Sequence, residues 1–219
     1  MMQPLLPQRP VGLGNQIADV LRRQIVTQER AAGSLLVEEK LAADFSVSRG
    51  PIRDAIRILT QEGLVTTAGR SASVVGLHAG DIDELFTLRT SLEQLAMKTA
   101  LRDNAAGLAA ALEQALAAMT AAVTAGDPDA FTRADLQFHS ASFAASGHRR
   151  LGDVWSQYQP TIENLLLVAN LDHVDLAPSL QSHLELRDLI AAGSPDLVCS
   201  EIETHLNNSR VRVRREYAD

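Results

Sequence analysis

Apolar positions along this chain keep a helical period nearly throughout, with one short break near residues 64–75. Ile17, Val20, Leu21 and Ile25 recur at three- and four-residue spacing, which predicts a helix over 14–27. Ala32-Gly33-Ser34 reads as a turn, and a short helix with Leu41 and Ala42 inward follows over 38–44. After the tight connection Phe45-Ser46-Val47, Ile52, Ala55, Ile56 and Leu59 share one face of a third helix over 48–61. Ser48 is placed to cap its start, Pro51 is tolerated in a first turn that needs no intrahelical donor, and Gly63 ends it. Two short strands, 64–67 and 73–75, flank a hairpin tip at 68–71. Beyond 76–80 the pattern predicts six helices, near 81–102, 104–125, 128–146, 148–170, 177–192 and 195–216. The breaks between them are Asp103-Asn104, Gly126-Asp127-Pro128, Gly147, residues 172–178 and Gly193-Ser194-Pro195.

The fold class is therefore mainly α. A winged helix-turn-helix of three helices plus a small β-hairpin wing is followed by an all-α helical bundle. The expected organisation is a proline-rich flexible arm at 1–12, the winged unit at 13–76, a linker at 77–80 and the bundle at 81–219.

Composition changes this picture little, but charge changes it. The formal net charge of −7 argues at first against a nucleic-acid partner. The average hides a split. Residues 1–78 carry nine Lys/Arg against seven Asp/Glu, a net of +2, and the rest of the chain carries −9. Binding to DNA needs local positive charge, not a basic protein. No apolar run reaches the roughly 18 residues of a membrane helix, and the opening MMQPLLPQRP lacks the order of a secretory signal. With Cys199 the single cysteine, a reducing cytoplasm is the expected location, and no membrane partner is expected.

The third helix carries Arg49, Arg53 and Arg57 at spacing four, so they share one face beside the buried stripe. A solvated arginine face is the plain alternative. The pointed one is major-groove readout, because guanidinium can donate two parallel hydrogen bonds to guanine O6 and N7. Ser48, Gly50, Pro51 and the helix N-terminus suit a backbone phosphate, and Gly69 and Arg70 at the hairpin tip suit the neighbouring minor groove or the DNA backbone. The segment Val47-Ser48-Arg49-Gly50-Pro51-Ile52-Arg53-Asp54-Ala55-Ile56-Arg57-Ile58-Leu59, closing with Glu62-Gly63-Leu64-Val65, resembles the recognition-helix signature of the GntR family of bacterial transcription factors. The resemblance covers about 65 residues. Two departures stand out. Val37 occupies a position where the family often has a capping serine, which loses roughly 1 kcal/mol of capping. Glu39 stands where some members have a DNA-contacting arginine.

In the second half, Phe131, Ala134, Phe138 and Ala141 make an apolar stripe within which Asp135 and His139 fall, four apart. His183 sits among Leu180, Leu184, Leu186 and Ile190, and His205 keeps the inward phase of Val198 and Ile202. Each histidine alone reads as a hydrogen-bonded core residue, and Asp135 with His139 as a buried pair. Together, one carboxylate and three imidazoles can converge in a bundle core on a divalent metal, with zinc, nickel, cobalt or manganese suited to that donor set. The set resembles the metal-binding pattern of the FCD-type ligand-binding domain of the FadR branch of GntR regulators. Glu84 to Glu93 resembles that domain's first helix, and six helices resemble its shorter, VanR-like subgroup. His148 and His173 fall outside the pattern and read as surface or helix-end residues.

Arg89 lies on the stripe of Leu85, Leu92 and Ala96, and a buried arginine needs an anion. That anion is either a structural carboxylate such as Glu93 or, as the family's preference for small organic acids implies, the carboxylate of an effector. The resemblance thus implies a homodimeric, cytoplasmic repressor that binds an operator duplex and responds to a small carboxylate held at a metal. The alternative is a metal-dependent enzyme built on the Asp/His cluster, for which Glu163 or Glu185 would have to supply a base.

Overall fold

In the computed structural model the described residues are 12–69, 71–171 and 175–217. The expected arm, apart from Gly12, and Arg70 and His173 lie outside them. Contacts divide the chain into two units, 1–77 and 78–219.

The first unit contains α1 (Leu13–Val26), α2 (Glu38–Asp44), α3 (Arg49–Gln61), β1 (Val65–Ala68) and β2 (Ser71–Val74). Ile17, Leu21 and Ile25 of α1 close on Ile52, Ala55 and Leu59 of α3, with Leu36, Leu41 and Leu64 completing the core. Gly14 is what lets α1 approach α3 so closely. A Cβ there would lie 2.7 Å from Asp54 Cβ and 3.3 Å from the Pro51 carbonyl oxygen. At the far end of α3, Arg22 donates to both carboxylate oxygens of Glu62 and to Asp19, each at 2.6 Å. Gly63 takes φ +80 and ends α3 as expected, with the Leu64 N–H returning to the Leu59 carbonyl at 3.0 Å.

The hairpin pairs antiparallel, Val65 with Val74 through Ala68 with Ser71, so its connection is shorter than the expected tip. Gly69 supplies the positive φ of +61 that this tight connection requires. Leu35 bridges to Ser73 on the outer edge of β2.

The second unit holds α4 (Ala79–Asp103), α5 (Ala105–Ala125), α6 (Pro128–Ala145), α7 (Arg149–Leu171), α8 (Ala177–Ala192) and α9 (Pro195–Arg215). These match the six expected helices closely because their caps are local. Asn104 accepts from the Gly107 N–H at 3.1 Å, and Asp127 accepts from Ala130 at 2.8 Å with Pro128 in the first turn. α4 starts at Ala79, inside the expected linker, because His78 and Asp81 form a reciprocal capping box. α7 runs through Pro160, which has no N–H to give to the Ser156 carbonyl one turn back; Asn164 donates its side-chain amide to the Pro160 carbonyl at 2.8 Å. The core joins Leu108, Leu112 and Met119 of α5 to Phe131 and Phe138 of α6, and to Ile190, Val198 and Ile202.

One sequence expectation needs correcting. Among the described residues α5, at 21 residues, is long and apolar enough by length and composition to cross a membrane. Alanine accounts for this, and the interruption at Glu113-Gln114 hid it from a search for unbroken apolar runs. Its larger side chains pack in the bundle core, and Glu113 pairs with Arg187 of α8 at 2.6 Å.

Candidate metal centre and nucleic-acid interface

Asp135 and His139 lie one turn apart on the inner face of α6, His183 comes from α8 and His205 from α9. All four are buried, at 3%, 4%, 1% and 7% exposure. One ring nitrogen from each of the three histidines lies within 4.8 Å of the others. The rings pack edge to face or tilted, His183 and His205 with centroids 4.4 Å apart. The convergence that the spacing allowed is therefore present.

The outer hydrogen bonds define what this cluster can hold. His183 Nδ1 lies 2.7 Å from the Ser179 carbonyl oxygen, an acceptor only, so Nδ1 carries the proton. His139 Nδ1 likewise faces a Glu93 carboxylate oxygen at 2.7 Å. In the neutral rings both Nε2 atoms are then lone-pair acceptors. Each lies 3.2 Å from the same carboxylate oxygen, Asp135 Oδ1. His205 Nδ1 is held by the Ser182 hydroxyl at 2.8 Å. Acceptors that face one another in a buried site need a cation between them, either a proton or a metal. Imidazoles whose second nitrogen donates to a carbonyl or carboxylate have the outer-shell arrangement of metal ligands. One oxygen and three nitrogen donors fit zinc, nickel, cobalt or manganese.

Without an ion, burial and the neighbouring charges act on these groups in different directions. Burial disfavours the His139 imidazolium, but the Glu93 charge outweighs it, against Arg89 and with help from Asp135, and the ring titrates above its ordinary value. Burial would raise Asp135, yet the neighbouring His183 and His139 hold it well below the usual carboxylate range. Burial and the charges of His183 and His139 push His205 down.

Arg89 and Glu93 are 1% and 2% exposed. Arg89 Nε donates to Glu93 at 2.7 Å, the structural pairing anticipated from the sequence. Its Nη1 and Nη2 are nevertheless buried with no hydrogen-bond partner among the described residues, beside the rings of Phe86 and Trp155 at 5.7 and 5.8 Å. The two sequence alternatives for its anion are thus compatible, since one edge is used and the other is free. Glu93 is the residue whose importance the sequence under-reported. Burial opposes its charge, but His139 and Arg89 together hold it at about 2. Its place four residues after Arg89 showed the first partner, and nothing local showed the second, 46 residues away.

A cavity of about 220 Å³ opens on the four residues and is further lined by Pro178, Ser179, Ser182, Asn208, Ser209 and Arg212. Arg89 does not line it, and neither does Glu163 or Glu185. Glu185 is exposed and accepts from Gln181 at 3.0 Å. His148 is exposed at the start of α7, where its Nδ1 accepts from the Leu151 N–H at 3.3 Å, a helix-end role as expected.

In the first unit, the side chains of Arg49, Arg53 and Arg57 on α3 are 51%, 65% and 61% exposed. They are not a free cationic face. Arg49 pairs with Glu39, Arg53 donates to Glu38 at 2.8 Å, and Arg57 lies 3.8 Å from Asp54. The two α2 carboxylates therefore face the helix that the sequence singled out. Ser48 occupies the N-cap position but makes no side-chain cap bond. The N3 residue, whose N–H a capping side chain commonly takes, is Pro51 and has none. Gly50 is exposed, Pro51 half-buried, and Gly69 exposed at the wing tip.

Comparison with known proteins places both units. Residues 84–208 match the FCD domain, and residues 13–75 match the gntR family of bacterial regulatory proteins. The gluconate operon transcriptional repressor of Bacillus licheniformis is 31% identical over 156 residues, 71% of this chain and 64% of that protein. The chain thus spans under two thirds of that relative's length. The HTH-type transcriptional repressor RspR of Escherichia coli K12 is 26% identical over 98% of this chain and 95% of its own. The solved structure of E. coli McbR/YncC superposes with a TM-score of 0.75 at 18% identity, covering 95% of this chain and 100% of the other, a likeness of fold.

Proposed function

Because this chain belongs to the GntR family and carries an FCD domain after its winged helix, we propose that it is a cytoplasmic transcriptional repressor. Its operator affinity is set by a small carboxylate bound at a metal. The observation that carries the reading is the pair of imidazole acceptors aimed at one carboxylate oxygen of Asp135, each with its far nitrogen donating outward. Zinc, nickel or manganese would be held by Asp135, His139, His183 and His205, and would supply Lewis-acid affinity for the effector's carboxylate oxygens. Arg89, expected from the sequence as a second anchor, keeps an unpartnered edge among the described residues but lies outside the cavity lining, so this carboxylate is assigned to the metal alone. The Bacillus relatives are named for a gluconate operon, and gluconate is a carboxylate of this class.

On the operator, Arg49, Arg53 and Arg57 read base edges from the major groove. The N-terminus of α3 with Ser48, Gly50 and Pro51 sits against a phosphate, and Gly69 and Arg70 reach the minor groove. One winged unit offers a small interface, so the protein acts as a homodimer on two half-sites. The six helices of the second unit favour the VanR-like subgroup of the FadR branch. An enzymatic role has no support. The family and the relatives are regulators, and neither Glu163 nor Glu185 lines the cavity.

The test joins elemental analysis to operator binding. Protein purified without tag or chelator is expected to hold one divalent ion per chain. His183→Ala should lower occupancy and remove the effector's influence on DNA, a coupling of about 5- to 150-fold, while effector-free operator binding persists. Protein that takes up no zinc, nickel or manganese on titration would sink the metal reading. Wild-type binding of operator and scrambled duplex alike would sink the regulatory one.

A further inference from the structure

Resting on that reading, the residues beyond the four metal donors say which carboxylate fits. On α9, Asn208, Ser209 and Arg212 follow His205 at three, four and seven residues, so they continue the face that carries the ligand. All three line the cavity. None of their side chains has a hydrogen-bond or ion-pair partner among the described residues. Nearby cations on the same helix are spoken for, because Arg210 and Arg214 both pair with Asp83 of α4. Arg212 is half-buried, and the charge that acts on it is that of Asp135. A metal at the cluster would take up that charge.

The charges then count as follows. Arg89 and Glu93 cancel. A divalent ion against Asp135 leaves a single positive charge, which one carboxylate neutralises. Arg212 leaves a second positive charge in the same cavity, with no acidic side chain paired to it among the described residues. Cα–Cβ bonds tilt toward a helix N-terminus, so Arg212 leans back over Ser209 and Asn208 toward the metal donors. Two turns, roughly 10 Å of rise, separate it from His205 along the axis, and its own side chain spans much of that. The cavity of about 220 Å³ has room for roughly seven waters at ~30 Å³ each, enough for a short diacid.

We propose that the effector is a short dicarboxylate, one carboxylate on the metal and the other on Arg212, with Asn208 and Ser209 donating to the second group.

The experiment is calorimetric titration of the full-length protein, zinc-loaded and metal-free, with succinate, butyrate and gluconate. Zinc-loaded wild type should bind succinate about 10-fold or more tightly than either monoacid, as a charge-assisted contact implies. Arg212→Gln should abolish that preference and leave zinc stoichiometry and butyrate affinity unchanged. Equal affinities, a preference for gluconate, or a succinate preference that survives in Arg212→Gln would each overturn the proposal with the metal reading intact. An Arg212-dependent preference that persists without metal would uphold the subsite and count against the metal reading. No binding of any acid in either form would overturn the proposal, and uptake of zinc by the metal-free protein decides the metal reading separately.

Discussion

Replacing Glu39 by glutamine tests how the reading helix is balanced. In the free protein each of the three arginines of α3 faces an acidic side chain, so the surface offered to DNA is close to neutral. Glu39 and Arg49 are 74% and 51% exposed at their side chains. An exposed pair of this kind contributes about 0–1 kcal/mol to stability, so Glu39→Gln should leave the melting temperature nearly unchanged. The same small energy is what an operator must overcome to claim Arg49. Freed of it, each half-site should gain about 0.2–1 kcal/mol, and the proposed dimer on two half-sites roughly 2- to 30-fold in affinity. Removing a carboxylate also steepens the salt dependence, by about one unit of slope per half-site if Arg49 then neutralises one more phosphate. Fluorescence anisotropy with operator and scrambled duplexes over a salt series reads the affinity and its salt slope, and a thermal melt reads the stability. In an Arg49→Ala background the gain should shrink, because the released partner is absent. Operator binding that weakens in Glu39→Gln would refute the reasoning and make Glu39 a base-reading acceptor, the role a carboxylate plays toward cytosine N4.

Two further outcomes follow from packing and second-sphere contacts. Gly14→Ala should destabilise the first unit by about 1–3 kcal/mol, because the new Cβ meets Asp54 Cβ and a backbone oxygen that cannot rotate away; this exceeds the ~0.5–1 kcal/mol that alanine gains over glycine in a helix, and an unchanged thermal transition would show that the α1–α3 approach is not tight. Glu93→Gln removes the anion that orients His139 while leaving every metal donor in place, so metal affinity in a chelator competition should fall about 10- to 100-fold, and an unaltered affinity would reduce Glu93 to a counter-ion for Arg89.

What could be read from the sequence was whatever rests on local chemistry. The helices beginning at Asn104 and Asp127 were legible because their caps are adjacent in sequence. The convergence of Asp135, His139, His183 and His205 was legible because each sits on the inward phase of an amphipathic helix. Contacts between distant elements were not. That Glu93 reaches His139, that Ser182 holds His205, and that Glu38 and Glu39 engage α3 depend on how helices stack, which periodicity does not encode. Ser48 failed as a side-chain cap for a reason that was in the sequence but easily passed over. The proline three residues on withholds the donor.

The two units handle charge in opposite ways, and burial decides which. On α3 the ion pairs lie in water, where each is worth little and exchanges readily, so a phosphate backbone can displace Glu38 and Glu39 at small cost. In the bundle, Arg89, Glu93, His139, Asp135 and His183 form one buried chain of alternating donors and acceptors. No member can be released to solvent without leaving a bare charge in the core, which costs several kcal/mol. The chain is open at one place, between Asp135 and the imidazoles, and only a cation completes it there. Added salt therefore screens the first set strongly and the second hardly at all. On the proposed reading an operator would compete for arginines that are loosely held, whereas a metal would enter a site whose His139 and His183 rings are already oriented by hydrogen bonds to Glu93 and the Ser179 carbonyl.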